Sequence, residues 1–177
     1  MTNEESVQEI RTLSNKAIEL LKRDGLSIAI AESLTGGLLL SQLVSIPGAS
    51  QVLRGGIVAY QTQFKHELLG VDSELLAREG AVHPEVARQM AIGVRKRFAT
   101  DSNLADIGVS TTGVAGPEPQ DGKQPGTVFI GVSTKKGAMA KGFSLLGDRD
   151  RIRESSVRLA IASLVETLEL GLIGDLE

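Results

Sequence analysis

The sequence predicts an α/β protein, a three-layer α/β/α sandwich around a mixed β-sheet that includes one antiparallel hairpin. Two observations predict this fold class. Short apolar segments of strand length alternate with longer segments whose apolar residues recur every three or four positions, which is typical of strands joined by crossover helices. Later in the chain, two segments of alternating apolar residues flank a Lys-Lys-Gly turn, which is typical of a β-hairpin.

The first part of the chain contributes two helices and two strands. Apolar residues at three- and four-residue steps predict an amphipathic helix over 5–23, and Gly25 ends it. Residues 27–31 form a short apolar run of strand length, and residues 55–60 form a second one. Between them, the apolar segment 36–44 predicts a helix that stops before a Pro-Gly pair.

Three helices are predicted next. The first covers 64–69 and is closed by Gly70, and the second covers 73–79 with Asp72 as its N-cap. A His-Pro pair opens the third, which runs over about 84–98, because proline is tolerated in the first turn of a helix.

The last part of the chain completes the sheet. Residues 105–111 predict a third buried strand, and 127–134 and 138–145 predict the two strands of the hairpin. Asp148 is the expected N-cap of a final helix over about 149–170. The Gly- and Pro-rich loop between the third strand and the hairpin is long for a simple connection, and loops of that length are often functional.

Composition narrows the class of protein. The 177 residues are enough for one domain, which we expect to cover 1–177. A net charge of −3 and 3% aromatic residues argue against nucleic-acid binding. The absence of cysteine excludes disulfides and thiolate chemistry, and the two separated histidines predict no metal site. No apolar run approaches the length of a membrane span, so we expect a cytoplasmic enzyme or binding protein without a membrane partner.

The segment Glu32–Gly37 raises the central question about function. Ligands of such sheets gather at the carboxyl ends of the strands, where this segment, the residues after Tyr60 and the loop from Thr112 are all expected. Ser33 has two interpretations. It could cap the following helix, because serine is a favoured N-cap. It could instead be a nucleophile at a strand end, beside free backbone N–H groups that stabilise an oxyanion.

A nucleophilic serine needs a base, and the candidates are Lys65 and Tyr60. His83 is expected to cap a helix and His66 lies among charged residues, so neither predicts a Ser-His pair. For lysine to be half neutral at pH 7, its pKa must fall by about 3.4 units, or about 4.6 kcal/mol. Desolvation can supply that shift, whereas an exposed position cannot. Lys65 must therefore be buried if it is the base.

The same residue types occur in other classes of protein. Short-chain dehydrogenases also use Ser, Tyr and Lys, but their YxxxK spacing and glycine fingerprint are absent here. In the Gly/Pro loop, glycines would let the backbone approach a ligand, while the acidic middle of the loop, 118–124, is interpreted as plain surface. Arg149 could hold a phosphate bidentately, or it could be solvated.

The motifs together resemble the CinA C-terminal domain family of competence/damage-inducible proteins, over about 5–168. The residues that carry the resemblance are 31–37 (AESLTGG), 47–50 (PGAS), 55–60 (GGIVAY) with Lys65, 69–71 (LGV), 80–82 (GAV), 113–117 (GVAGP), 125–128 (PGTV) and 147–149 (GDR). The resemblance implies an α/β/α sandwich, in agreement with the prediction above.

The resemblance also implies an activity, the deamidation of nicotinamide mononucleotide to nicotinic acid mononucleotide and ammonia in pyridine-nucleotide salvage. It implies that Ser33 is the nucleophile, Lys65 the base and Tyr60 an aid to proton transfer, with no metal or organic cofactor. The implied substrate-binding residues are Thr35, Gly36, Gly37, Ser50, Thr112, Gly113, Ala115, Gly116 and Arg149, the last of which would hold the 5′-phosphate. Members of the family tend to form homo-oligomers, and we expect the same here.

This chain departs from the family pattern at three places. Leu34 replaces a cysteine, Gln61-Thr62 replace Ser-Asn, and Pro119-Gln120 stand where the family has two glycines, after Gly116-Pro117-Glu118. Activity or substrate range could therefore differ. Two further hypotheses stay open: a nucleotide-binding or regulatory module without turnover, and a purely structural oligomerisation domain.

Overall fold

Helices and strands alternate along the chain as predicted. The computed structural model describes residues 3–101 and 103–171. In these ranges the elements are α1 Asn3–Arg23, β1 Ile28–Glu32, α2 Leu38–Val44, a 3₁₀ helix Ala49–Gln51, β2 Leu53–Val58, α3 Thr62–Leu69, α4 Ser73–Glu79, α5 Pro84–Arg97, β3 Ile107–Gly113, β4 Thr127–Thr134, β5 Gly137–Ser144 and α6 Arg149–Glu169. Each predicted helix and strand is present, with ends shifted by up to about two residues, which is the usual uncertainty of helix ends. The 3₁₀ helix was not predicted.

The five strands form one mixed sheet in the order β2-β1-β3-β4-β5. The strand β1 is parallel to both β2 and β3, whereas β3 and β4 are antiparallel, as are the hairpin strands β4 and β5. Parallel pairing aligns the ends of three strands, because Glu32 pairs with both Val58 and Thr111. The predicted fold class is confirmed, and the carboxyl ends of β1, β2 and β3 meet at one edge of the sheet.

Two hydrophobic cores cover the two faces of the sheet. Successive side chains of a strand point to opposite faces, and β1 shows this alternation. Ile28 and Ile30 lie in a core with residues of α1, α2 and α6, whereas Ala29 and Ala31 lie in a second core with residues of α3, α4 and α5. On the second face small residues allow a close approach, because a Cβ on Gly108 would lie 2.1 Å from the carbonyl oxygen of Ala91 on α5.

The predicted helix caps are confirmed. Asp72 accepts hydrogen bonds from the first turn of α4, and Asp148 accepts one from the Arg151 amide at 2.9 Å. His83 caps α5 through Nδ1, which accepts from the Glu85 amide at 3.2 Å. This contact supports the view that His83 has a structural role, because its ring nitrogen is engaged at a helix start.

The loop between β3 and β4 folds back onto the segment between α4 and α5. Gly126 donates its amide to the Val114 carbonyl at 2.8 Å, which closes the base of the loop. At its tip, the Asp121 carboxylate accepts from the Ala81 amide at 2.9 Å. The loop therefore forms a wall beside the ends of the parallel strands.

Among the described residues, no helix has the length and apolar character needed to cross a bilayer. Within the same ranges, no three His, Asp or Glu side chains come together as a metal ion would require. The strands of the described ranges form one sheet. The single domain over 1–177 also covers residues outside those ranges and stays a prediction.

Candidate functional site

A cleft lies at the edge of the sheet where β1, β2 and β3 end. Its volume is about 400 Å³, which is within the range of small-molecule sites. The side chains and backbone that line it come from five parts of the chain: the end of β1, the segment after β2, the segment between α4 and α5, the end of β3 with the loop after it, and the start of α6. The lining residues are Ser33, Leu34, Tyr60, Gln61, Thr62, Ala81, Val82, Thr112, Gly113, Val114, Ala115, Gly116, Glu118, Gln120 and Arg149.

The alternation of side chains along β1 determines the face of the sheet on which the Ser33 side chain lies. Glu32 points to the face that carries α2, and its buried carboxylate accepts from the amides of Gly37, Leu39 and Leu40 at 3.0, 3.1 and 2.8 Å. Glu32 therefore holds the start of α2, and the interpretation of Ser33 as the helix cap is wrong. Ser33 continues the alternation to the opposite face, where α3 lies.

Ser33 meets Lys65 on that face. The Lys65 Nζ donates to Ser33 Oγ at 3.0 Å, and also to the carbonyls of Ala59 and Tyr60 at 2.8 and 3.4 Å. The Ser33 amide donates to the Thr111 carbonyl at 3.0 Å, which ties the serine to β3. Hydroxyl and amine, 32 positions apart in sequence, are thus within hydrogen-bond distance.

Lys65 is buried, as its use as a base requires. Only 1% of the residue is exposed. Burial lowers the pKa of Lys65 from 10.5 to about 8, because desolvation disfavours the ammonium, while the negative charge of Asp121 acts in the opposite direction. At that pKa about one Lys65 in ten is neutral at pH 7. The pKa shift has the predicted direction. It is smaller than the shift that would make half of the Lys65 amines neutral at pH 7.

Tyr60 and Arg149 form the outer part of the cleft. Arg149 Nη2 donates to the Tyr60 hydroxyl at 3.0 Å, and Nη1 donates to the Gly116 carbonyl at 2.7 Å. Tyr60 is 57% exposed, and its hydroxyl faces the guanidinium, whereas the buried amine of Lys65 faces Ser33. Of the two candidate bases, only Lys65 has a hydrogen bond to the serine among the described contacts.

Several predicted substrate-binding residues lie in the cleft. Thr112, Gly113, Ala115 and Gly116 form its wall next to Arg149. The Thr112 hydroxyl donates to the Ala81 carbonyl at 2.7 Å, so this side chain fixes the wall. At Gly113 a Cβ would lie 2.6 Å from the Thr127 carbonyl oxygen, which explains why glycine stands there.

Four predicted substrate-binding residues are not brought to the cleft. The Gly36 and Gly37 amides, expected to face an oxyanion or substrate, donate to the Ser33 carbonyl and the Glu32 carboxylate. The Thr35 hydroxyl is buried against that of Thr111, at 2.8 Å. Ser50 lies in the 3₁₀ helix and borders a different depression, beside α2 and β2. Within this chain these positions support the serine segment or lie apart from it.

The acidic part of the loop is a lining element that sequence analysis missed. Glu118 and Gln120, interpreted as plain surface, line the cleft, and that interpretation is wrong. Asp121, in the same segment, holds the loop against Ala81. Glu118, Gln120 and Asp121 are exposed, as their polar side chains predict. The segment borders the cleft because Asp121 bonds to Ala81, 40 positions away, and composition does not predict such a long-range contact. The unusual length of the loop was the available signal.

Comparison with known proteins identifies relatives across this whole region. A family model described as the CinA C-terminal domain matches residues 10–168. The CinA-like protein of Frankia casuarinae is 45% identical over 161 residues, which cover 91% of this chain and 36% of that protein. The chain therefore spans little more than a third of the length of this curated relative.

Solved structures share the fold. A competence-damaged protein (CinA) superfamily protein from Klebsiella pneumoniae superposes with a TM-score of 0.85 at 28% identity, covering 91% of this chain and 98% of that one. The competence/damage inducible protein CihA from Agrobacterium tumefaciens gives a TM-score of 0.83 at 33% identity, covering 91% and 96% of the two chains. This chain therefore has the same fold as these two proteins.

Proposed function

The chain belongs to the CinA C-terminal domain family, and on that premise we propose that it is an amidohydrolase that converts nicotinamide mononucleotide to nicotinic acid mononucleotide and ammonia. The observation that carries the proposal is the 3.0 Å hydrogen bond between buried Lys65 and Ser33 in a cleft of ligand size. A serine activated by a desolvated amine is a known solution for acyl transfer.

The contacts of Lys65 suit the role of general base. A neutral amine has two N–H donors and one lone pair. The carbonyls of Ala59 and Tyr60 can accept the two donors, and the lone pair is then left for the proton of the Ser33 hydroxyl. The same contacts orient the side chain before substrate arrives, which is what efficient proton transfer requires.

The proposed reaction has two steps. In the first, Ser33 Oγ forms a bond to the carboxamide carbon, its proton passes to Lys65 Nζ, and the C–N bond breaks as the nitrogen takes that proton and leaves as ammonia. In the second, water attacks the acyl-serine and gives a proton to Lys65, the ester bond breaks as Ser33 Oγ takes that proton back from Lys65, and the released acid loses its remaining proton to solvent to leave the carboxylate. Tyr60 assists proton transfer to the leaving nitrogen.

The charges that line the cleft support a nucleotide of this kind. Arg149 is a cation suited to a phosphate, and Glu118 is a carboxylate that favours the positive pyridinium ring. The pyridinium also withdraws electrons from the amide, and its charge opposes protonation of Lys65. A substrate with an anionic end and a cationic ring therefore matches the lining better than a neutral amide does.

Release of ammonia from nicotinamide mononucleotide tests the proposal. We expect steady turnover by the wild-type chain in a coupled ammonia assay, and loss of turnover by at least about 1,000-fold in Ser33→Ala, because the nucleophile is removed. Ser41→Ala, at an exposed serine of α2, is the matched control and keeps the wild-type rate. Equal rates in Ser33→Ala and wild type would refute Ser33 as nucleophile.

Thermal unfolding with the same nucleotide separates the proposal from its alternatives. A rise in melting temperature without ammonia release in the wild-type chain would favour a nucleotide-binding module. No rise with any pyridine nucleotide, together with no ammonia, would leave a structural domain. The proposed enzyme gives both turnover in the wild type and ligand-dependent stabilisation in Ser33→Ala.

A further inference from the structure

The turn that carries Ser33 is held by its own backbone. This serine turn, residues 33–36, connects β1 to α2. The Gly36 amide donates to the Ser33 carbonyl at 3.1 Å, and Gly36 has a φ of +60°, a left-handed conformation that glycine adopts without strain. A second backbone bond, from the Leu38 amide to the Thr35 carbonyl at 3.2 Å, also holds the peptide after Thr35. Neither bond involves the Leu34 carbonyl, so the peptide before Thr35 is free to reorient unless another group holds it.

Arg153 of α6 supplies the contact that the Leu34 carbonyl lacks and adds a second donor to the Thr35 carbonyl. Its Nε donates to the Leu34 carbonyl at 3.2 Å and its Nη2 to the Thr35 carbonyl at 3.1 Å. Its third nitrogen lies 3.6 Å from Asp150, whose side chain is 83% exposed, so that ion pair contributes little. A guanidinium is rigid and planar, and two of its nitrogens fix two successive carbonyls in one orientation.

The turn is thereby held from both faces of the sheet. Lys65, on the α3 side, contacts the Ser33 side chain, and Arg153, on the α6 side, contacts the turn backbone. The two cations have different tasks. Lys65 is buried and close to the reacting oxygen, whereas Arg153 contacts only carbonyl groups and an exposed aspartate.

The backbone orientation matters for the chemistry because of the Leu34 amide. In a trans peptide the carbonyl and the next N–H point in opposite directions. With the Ser33 carbonyl turned toward Gly36, the Leu34 N–H points out of the turn. Leu34 lines the cleft, and among the described residues its amide has no hydrogen-bond acceptor. The amide after a nucleophilic serine is the position that commonly stabilises an oxyanion.

We propose that Arg153 is a positioning residue that locks the serine turn so that the Leu34 amide faces the oxyanion formed at Ser33. The inference rests on the proposed acyl transfer at Ser33 and goes beyond it by naming the oxyanion donor and the residue that orients it. Arg153 contacts neither substrate nor the reacting atoms. Its effect is on the transition state, where the negative oxygen develops, and not on binding of the ground state.

Kinetics of three variants at position 153 test this role. Arg153→Gln lowers kcat for nicotinamide mononucleotide by about 10- to 100-fold and changes KM less than about twofold, a smaller loss than removal of a whole oxyanion donor. Arg153→Lys recovers part of the rate, because an ammonium can hold one carbonyl but not both. Arg153→Ala regains activity when guanidinium ions are added at millimolar concentration, which a general loss of stability would not allow.

Arg158 provides the matched control. It lies on the same helix with a side chain of similar exposure, 30% against 25%, and pairs with Glu9 at 3.3 Å. Arg158→Gln keeps kcat within about twofold of wild type. An equal fall in kcat in Arg158→Gln and Arg153→Gln, or a change in KM alone at position 153, would overturn the inference.

Labelling of Ser33 by a fluorophosphonate separates this inference from the proposed substrate. Ser33 Oγ bonds to phosphorus, fluoride leaves, the serine proton passes to Lys65, and the phosphoryl oxygen occupies the oxyanion position. Intact-mass measurement should show one adduct in wild type, none in Ser33→Ala, and labelling at least about tenfold slower in Arg153→Gln. Slow labelling in that variant upholds the inference even if the mononucleotide is not hydrolysed. Equal labelling rates, or no labelling of wild type, overturn it.

Discussion

At the scale of single residues, Lys65 shows how position changes chemistry. On a protein surface a lysine is an ammonium at every physiological pH. Here the side chain is 1% exposed and bonded to Ser33 and two carbonyls, and burial lowers its pKa to about 8. A buried amine with a lowered pKa that lines up with a hydroxyl in a cleft is typical of functional sites, and the proposed mechanism uses its neutral form.

The pH dependence of kcat/KM tests the role of Lys65. In the proposed mechanism the neutral amine is the active form, so we expect the rate to rise about tenfold per pH unit below the pKa and to level off above about 8. Lys65→Arg loses at least about 100-fold at every pH, because a guanidinium is not deprotonated in proteins. Initial rates of ammonia release between pH 6 and 9.5 measure both. A flat profile, or high activity of the arginine variant, would exclude Lys65 as the base.

Arg149 carries a second prediction at this scale. Arg149→Ala should raise KM for nicotinamide mononucleotide by about 10- to 100-fold, because a charge-assisted contact to the phosphate is lost. For the riboside, which has no phosphate, the same substitution should raise KM much less. Arg151→Ala, an exposed neighbour on the same helix, serves as the control. Equal losses with nucleotide and riboside would show that Arg149 acts through Tyr60 and not through the phosphate.

At the scale of elements, the start of α2 depends on a residue outside the helix. The first residues of a helix have amides without partners, and Glu32 at the end of β1 satisfies three of them. A carboxylate is also favoured there by the helix dipole. The last residue of β1 and the residue after it therefore have different roles: Glu32 anchors the next helix, and Ser33 faces Lys65.

Glu32→Gln tests this division. The amide keeps the size of the side chain but removes the charge, and its NH₂ group is a donor that cannot accept from the helix amides. We expect the free energy of unfolding to fall by about 1–3 kcal/mol in urea titrations. Glu67→Gln, at an exposed position of α3, should change it by less than about 0.5 kcal/mol. Wild-type stability in Glu32→Gln would mean that α2 forms without this anchor.

At the scale of the whole molecule, the site exists because three parallel strands end at one edge of the sheet. Ser33, Tyr60 and Thr112 follow or end those strands, and the loop after β3 folds over α4–α5 to complete the cleft. The start of α6 brings Arg149 to the same edge and Arg153 to the back of the serine turn. Homo-oligomer formation stays a prediction, which light scattering of the purified chain would measure.

The sequence by itself determined the elements, their order, the helix caps and the family, because hydrophobic periodicity, cap residues and motifs are local properties of the chain. It also led to the prediction that Ser33, Lys65 and Tyr60 carry the chemistry. Only the tertiary structure decided that Glu32 and not Ser33 anchors α2, that Lys65 is buried, and that Glu118 lines the cleft. These facts depend on residues far apart in sequence, since desolvation and long-range hydrogen bonds exist only once the chain is packed.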